Sequence, residues 1–425
     1  MARSHPLIIL LALASSASAQ SKRYPAPPKD AGDERANRSS LWEAALDPDR
    51  KPYDELVRDA KRMLDDRTKD SAAAALPKLD EAVTRLPADA HAHAARGLAY
   101  LILTNWAKCA ADLELANAAS LESNERDALE LQLGICQGRA GRYADAERTL
   151  LHAVTVAPHG EQWMRLGEVR IALGKLDEAV DALNAALEAH DGSEGTIHWL
   201  FAIAYDRARK STAADEAARR AIQFDSAFTL IVSPTYPWLR AGDAEYMLGL
   251  AYATTPTLDR EQARPEVALL YFRSFLKRAP KCPWRRRAEE HVKALAAMPF
   301  PQTLSRSPQS TSLVETTPLV PVVQKAMPQL RACLARQPAL AFAVSVIKAG
   351  PRTPESDHER PRYNVPVNAI KVTLDHDLGD ELGDAPRSAQ EAARTCLEAA
   401  VAKITLPAPK EHDTYFQLTF TVVAP

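Results

Sequence analysis

Residues 160–186 read GEQWMRLGEVRIALGKLDEAVDALNAA. Apolar residues recur there at three- and four-residue steps on either side of Gly174-Lys175, the pattern of two amphipathic helices joined by a tight turn. Gly167 and Ala179 are small enough to let the two helices approach closely, and Leu166, Leu176 and Leu183 fill the space around them. The stretch before it carries Gly134, Gly141, Tyr143, Ala146, Leu150, Ala153 and Pro158 at equivalent places. In both copies the second glycine follows the first by seven positions. Weaker copies hold Gly97, Ala99-Tyr100, Trp106 and Ala116, then Trp199, Ala202, Tyr205, Ala214, Ala218 and Ala221. Another holds Gly249, Tyr252, Ala268, Phe272 and Pro280, with an insertion around Thr254–Pro265; a degenerate first copy has Ala75, Leu79, Ala82 and Pro87. The period is about 34 residues. Pro158 and Pro280 end the second helix of their copies. A non-repetitive alanine-rich bundle would not hold the seven-residue glycine spacing in register.

This pattern resembles the tetratricopeptide-repeat (TPR) family. The resemblance implies about five to six helical hairpins over residues 53–297, stacked into a superhelix whose concave groove is lined by the first helix of each repeat. Such a groove holds peptides or helices. The positions that face it in the family fall here on Leu98, Leu101, Leu131, Ile135, Met164, Glu168, Trp199, Ile203 and Arg207, mostly apolar, which implies an apolar ligand segment. Each of these positions is equally compatible with the core between repeats.

The composition agrees with a globular protein. Of 425 residues, 46% are hydrophobic and 25% charged, and the formal net charge is −2, so nothing electrostatic calls for nucleic acid or an anionic membrane surface. The N-terminus has a positive residue, Arg3, an apolar run Leu7–Ala14 too short to span a bilayer, and small residues Ala17-Ser18-Ala19. Residues 1–19 are therefore expected to be a signal peptide cleaved after Ala19, followed by a flexible leader over 20–52 with Tyr24-Pro25-Ala26-Pro27-Pro28. The expected product is exported, soluble, and peripheral to the membrane at most. Export favours disulfides among Cys109, Cys136, Cys282, Cys333 and Cys396, an odd set that leaves one thiol over. Cys109 and Cys136 lie on neighbouring helices of adjacent repeats, either bridged or as two buried thiols.

Residues 298–321, rich in Pro, Ser and Thr, read as a linker. Beyond them the period changes. Val322, Val323, Ala326, Met327, Leu330, Cys333 and Leu334 form one helix face, although Pro328 interrupts it. Phe342, Val344 and Val346 alternate, as do Ile370, Val372 and Leu374, and then Phe416, Leu418, Phe420 and Val422. Between the last two strands, Ser388 and Glu391 open a helix in capping-box spacing, with Ala393, Cys396, Leu397, Ala400 and Ile404 along it. The fold class is thus mainly α: TPR hairpins followed by a small α+β domain of order α-β-β-α-β over 322–425. Both helices must cover one sheet face, so Cys333 and Cys396 are expected to pair, a bridge worth about 4 kcal/mol by loop-closure entropy.

Leu330-Arg331-Ala332-Cys333-Leu334, the Phe342–Gly350 strand, Thr395-Cys396-Leu397, Leu406-Pro407 and the Phe416–Val422 strand resemble the AgmX/PglI-type C-terminal domain, a TonB-C-like module of envelope proteins. The loop after Gly350 is longer than in that pattern. The resemblance implies a sheet edge open to strand addition, on the last strand with Gln417, Thr419 and Thr421.

No motif of catalysis is found. His91 and His93, two apart, point in different directions on a helix. The acidic run Asp375–Glu381 lacks the glycine and closing glutamate of a calcium loop. No phosphate-binding glycine loop, G-x-S-x-G or H-E-x-x-H is present. The expectation is a non-catalytic, cofactor-free scaffold of the bacterial cell envelope that binds envelope proteins or peptides in the periplasm. The alternatives are a secretion-accessory or chaperone-like TPR protein, or an enzyme with its site in the C-terminal domain.

Overall fold

The computed structural model describes residues 47–119, 123–233, 238–254, 264–301, 304–307, 310, 312, 315–336, 340–351, 369–374, 386–410, 412 and 414–424. The expected signal peptide, most of the leader, the Thr254–Pro265 insertion apart from its ends, the greater part of the Gly350–Pro366 loop and the Asp375–Glu381 run lie outside them. The chain divides into two compact units, 1–192 and 193–425.

The first unit holds eight described helices in four hairpins: α1 (Arg50–Leu64) with α2 (Lys69–Arg85), α3 (Ala90–Ile102) with α4 (Trp106–Ala118), α5 (Ser123–Arg139) with α6 (Tyr143–Val156), and α7 (Gly160–Leu173) with α8 (Leu176–Glu188). Each second helix packs on the first helix of the next hairpin, and the first helices also touch one another along the stack. This is the TPR arrangement that the repeat pattern implies.

One contact sets the hairpin. A Cβ added at Gly134 would lie 2.6 Å from Leu150 Cγ, and one at Gly167 would lie 2.8 Å from Leu183 Cγ. Gly97 stands in the same relation to Leu113. In each case the leucine lies sixteen positions on and fully buried, seated directly on the glycine backbone. Seven positions after the same glycines the backbone turns left-handed, at Thr104 (φ 58°), Gly141 (φ 80°) and Gly174 (φ 81°). The turn satisfies the carbonyls that end the first helix: Asn105 N–H donates to Tyr100 O at 2.8 Å, Arg142 N–H to Gln137 O at 2.8 Å, and Lys175 N–H to Arg170 O at 2.9 Å. The seven-residue spacing is therefore the distance from a close-packing point to a helix stop.

The second unit continues with the same device in two hairpins, α9 (Glu194–Arg207) with α10 (Ser211–Phe224) and α11 (Asp243–Ala253) with α12 (Pro265–Arg278), capped by α13 (Arg285–Ala296). Ala202 replaces the glycine of α9, and Arg209 (φ 61°) makes the left-handed turn seven residues later. The C-terminal module follows in the expected order: α14 (Val320–Ala332), β2 (Ala341–Ala349), β3 (Ile370–Leu374), α15 (Arg387–Val401) and β4 (Tyr415–Val423). Its strands are antiparallel, with Val344 opposite Phe420 on one side and Val372 on the other.

Two expectations are corrected here. Residues 298–321 are not a plain spacer, because Ser305–Arg306 form a short strand, β1, and the sheet order is β1-β4-β2-β3. Phe300, Leu304 and Ser312 are buried. The last strand is accordingly interior, not an edge. Ser305 pairs with Thr419 and Arg306 with Leu418. The Ser307 and Ser312 N–H groups donate to Gln417 O and Tyr415 O, both at 3.0 Å, and Gln417 N–H donates to Ser310 Oγ at 3.0 Å. The physical reason is the need of unpaired strand groups for partners, which the Ser-rich stretch supplies from nearby. Thr421 is also withdrawn from solvent, and Arg264, just before α12, donates to its Oγ1 at 2.9 Å.

Both cysteine pairs are bridged. Cys109 and Cys136 join α4 to α5 with Cα atoms 5.9 Å apart. Cys333 and Cys396 join the C-terminal end of α14 to α15 with Cα atoms 5.7 Å apart. Cys282 is a free thiol.

Gly134→Val is expected to lower the unfolding free energy by about 1–3 kcal/mol through overpacking. Combining it with Leu150→Ala should cost less than the sum of the single changes; urea unfolding of the four proteins measures the coupling. A non-reducing peptide map should recover the 109–136 and 333–396 pairs, and replacing Cys333 and Cys396 together by Ser should lower stability by about 4 kcal/mol.

Candidate functional site

In the first unit the first helices α3 and α5, with Lys61 of α1 at the side, line an open cleft. Its floor is apolar: Ala94, Ala95 and Leu98 from α3, Leu113 from α4, Ala128 and Leu129 from α5. The small residues follow from the repeat itself, since first helices need alanine and glycine where they approach their neighbours. Lys61, His91, Glu125 and Gln132 make the rim.

One carboxylate holds His91 in that rim. Asp89 caps α3 by accepting from the His91 N–H at 3.0 Å, and it accepts from Tyr53 Oη at 2.5 Å and Arg50 Nη1 at 2.6 Å. Tyr53 Oη in turn accepts the Ala92 N–H at 2.9 Å. His91 Nδ1 lies 2.9 Å from Asp89, and its Nε2 lies 3.6 Å from Glu125 on α5, so the imidazole spans the mouth of the cleft. Burial alone would raise the Asp89 carboxyl, but hydrogen bonds from Tyr53, His91 and Arg50 outweigh it and hold it well below the usual carboxylate range. Burial and the bond to Asp89 push the Tyr53 hydroxyl up, so it stays a donor. Among the described residues, the Lys61 ammonium has no carboxylate partner, which leaves one unspent positive charge beside an apolar floor.

Of the residues implied to face a groove, the structure brings Leu98 into this cleft. Leu101, Leu131 and Ile135 are half-buried outside its lining, and Leu101 packs on the core that contains Cys109 and Cys136. Met164 and Glu168 are buried, with Glu168 3.2 Å from Arg165. Trp199, Ile203 and Arg207 are buried in the second unit. Trp199 donates from Nε1 to Asp225 at 3.2 Å and meets the Phe228 ring edge-on. Arg207 Nη2 lies 2.5 Å from Asp243 Oδ1, and its guanidinium sits over the rings of Tyr246 and Trp284 at 5.1 and 5.2 Å. Gln417, Thr419 and Thr421 belong to the interior strand β4.

The sequence reading missed the neighbouring Asp206. It accepts from Tyr246 Oη at 2.5 Å and from Arg287 Nη2 at 2.7 Å, and His291 Nε2 lies 2.9 Å away. One buried carboxylate thus ties α9, α11 and α13 together. Burial would raise its pKa, but His291 and Arg287 outweigh that and hold it far below the ordinary range. The Arg285-Arg286-Arg287 run divides accordingly: Arg287 is turned inward, whereas Arg285 and Arg286 stay exposed. The signal available in sequence was the i, i+4 spacing of Arg287 and His291 on one face of α13. This cluster is an internal clamp that joins three helices.

Among the described residues no group of three or more His, Cys, Asp or Glu side chains could hold a metal ion, and no helix is long and apolar enough to cross a membrane.

Comparison with solved structures finds TPR proteins. YrrB, described as a TPR protein with an unusual peptide-binding site, is 20% identical over 40% of this chain and 85% of its own, with a TM-score of 0.36. MamA MSR-1 is 20% identical over 42% of this chain and 97% of its own, with a TM-score of 0.36. PilF of Pseudomonas aeruginosa is 14% identical over 58% of this chain and 90% of its own, with a TM-score of 0.34. At these scores the likeness carries no argument about any residue. No family model and no curated protein matches the chain.

The Asp206 clamp has a testable pH dependence. Its folded-state pKa is depressed, so its contribution to stability is present above the ordinary aspartate pKa and is lost as pH falls through that region toward the folded value. Asp206→Asn is expected to cost about 3–5 kcal/mol at neutral pH, because Arg287 loses its buried partner, and to flatten the acid limb of stability against pH below about pH 5. Urea midpoints of the wild type and the variant across pH 3–7 check both.

Proposed function

We propose that the protein is a non-catalytic interaction scaffold of the bacterial cell envelope, exported to the periplasm, that binds an apolar protein segment in the cleft between α1, α3 and α5. The observation that carries this reading is the cleft itself: an apolar floor of alanine and leucine side chains from α3, α4 and α5, with a polar rim whose His91 is held by Asp89. An entering side chain of leucine size would bury its surface there at about 25 cal/mol per Å2. The unpaired Lys61 ammonium favours a segment with a carboxylate next to its apolar residues. The two bridged cysteine pairs support an oxidising compartment, and the small residues Ala17-Ser18-Ala19 after an apolar run support a cleavable signal peptide. The C-terminal module, read as TonB-C-like from its sequence, serves in this proposal as the envelope-facing end of the scaffold.

A display library of random peptides selected on the purified protein tests the reading. Enriched peptides should carry apolar anchors with a nearby acid. Leu98→Glu and Ala128→Arg should each weaken the selected peptide at least about tenfold, the equivalent of 1.4 kcal/mol, while leaving thermal unfolding in place. Peptides that bind these variants as well as the wild type would place recognition elsewhere on the molecule.

A further inference from the structure

The rim of the cleft holds two acceptors that face each other. Asp89 accepts from Tyr53 Oη, Arg50 Nη1 and the His91 N–H, and these bonds keep it ionised. An ionised carboxylate has no proton to give. The 2.9 Å contact between Asp89 and His91 therefore requires a proton on Nδ1 of the imidazole. In the neutral ring that leaves Nε2 with a bare lone pair. Nε2 lies 3.6 Å from Glu125 Oε2 on α5, a carboxylate oxygen that also accepts and does not donate. That separation is longer than a hydrogen bond. Both side chains line the open cleft, and exposures of 39% and 22% leave them within reach of a bound molecule.

Two acceptors at this spacing call for a donor between them. A nitrogen about 2.9 Å from each would form a hydrogen bond to both. An ammonium suits the place better than a neutral N–H, because the carboxylate strengthens its bond and its three donors serve both acceptors with one left for water. It also suits the place better than a guanidinium, whose flat fork matches the two oxygens of a single carboxylate. The charge of Asp89 is already matched by Arg50 at 2.6 Å. The Lys61 ammonium, elsewhere on the rim, disfavours a second cation close to it, so the two charges of a bound segment must lie apart. A doubly protonated His91 would be the opposite case: its Nε2–H would donate to Glu125 and leave no place for a cation.

We propose that His91 and Glu125 form a subsite for the ammonium group of a lysine side chain carried by the segment in the cleft. Resting on the reading of the cleft as a site for an apolar segment, this subsite adds a second charge to it. The acid of the segment lies toward Lys61, its apolar residue on the floor, and its lysine between His91 and Glu125. Asp89 is a positioning residue here, because its carboxylate selects the tautomer that makes Nε2 an acceptor.

Two small molecules with the same branched alkyl group test the subsite: isopentylamine, which is cationic, and isopentanol, which is neutral. NMR of the 425-residue protein at about pH 8, above the range in which imidazole ordinarily titrates, follows both. The methyl signals of Leu98 and Leu129 report entry into the cleft, and the ring nitrogens of His91 report the rim. The free protein should show one protonated and one bare nitrogen at His91. Isopentylamine should bind about three- to tenfold more tightly than isopentanol, as for a partly exposed charged hydrogen bond, and should shift the bare Nε2. In Glu125→Gln that preference should vanish while isopentanol binds as before. Equal binding of the two molecules to the unmodified protein, with the leucine methyls shifting alike, overturns the subsite and leaves the apolar cleft standing. A His91 ring that carries both protons in the free protein overturns it as well. If neither molecule moves the leucine methyls, the cleft itself takes no apolar group, and the subsite falls with it.

Discussion

The contact between a glycine backbone and the leucine lying on it governs this molecule. A hairpin can close only where the first helix has no side chain in the way, and the leucine then fills the gap that the missing Cβ leaves. Because the contact fixes how near the helices come, it also fixes where the first must stop, and the left-handed turn follows at a constant distance. Three hairpins of the first unit share this geometry, and alanine substitutes for glycine in α9 with the same turn behind it. The cleft is a by-product of the same arrangement. First helices rich in small residues leave a shallow trough where they line up, with the larger residues of the second helices behind them.

Each unit adds a multiply bonded carboxylate to this packing, half-buried at Asp89 and buried at Asp206. Asp89 gathers Tyr53, Arg50 and His91 at the start of α3, and Asp206 gathers Tyr246, Arg287 and His291 at the end of α9. Each carboxylate takes donors from more than one helix, so losing it would release several polar groups at once. Asp89 differs from Asp206 in that one of its donors, His91, lies on the rim of an apolar cleft. The same chemistry thus serves as a clamp in one unit and as the frame of a cleft in the other.

The hairpins and the α-β-β-α-β order were legible in the sequence because both rest on local periodicity. Cys333 and Cys396 could be paired for the same reason, since each lies on the apolar face of a helix that must cover the sheet. Trp199, Ile203 and Arg207 could not be placed correctly, because the spacing that points a residue into a groove also points it into the core between hairpins. Only the neighbours decide, and the ring of Tyr246 and the carboxylate of Asp243 lie far along the chain from Arg207. β1 left no signal at all. Ser305 and Arg306 have neither alternation nor β-branching, and they become a strand because β4 offers them unpaired backbone groups. Asp206 was hard to find for another reason: the i, i+4 pair Arg287 and His291 marks a polar face, but its partner Asp206 is 81 positions away from Arg287.

The bridge between Cys109 and Cys136 has a mechanical side. A stack of hairpins pulled from its ends ordinarily peels one hairpin at a time, since each is held only by its neighbours. Here the second helix of one hairpin is bonded covalently to the first helix of the next, so the chain between the sulfurs, a separation of 27 positions, cannot be drawn out under load. That withholds about 90 Å of contour length at about 3.3–3.6 Å per residue. The segment from Cys109 to Cys136 therefore behaves under tension as one inextensible link in an otherwise compliant spring, and that link carries Leu113, Ala128 and Leu129 of the cleft's floor.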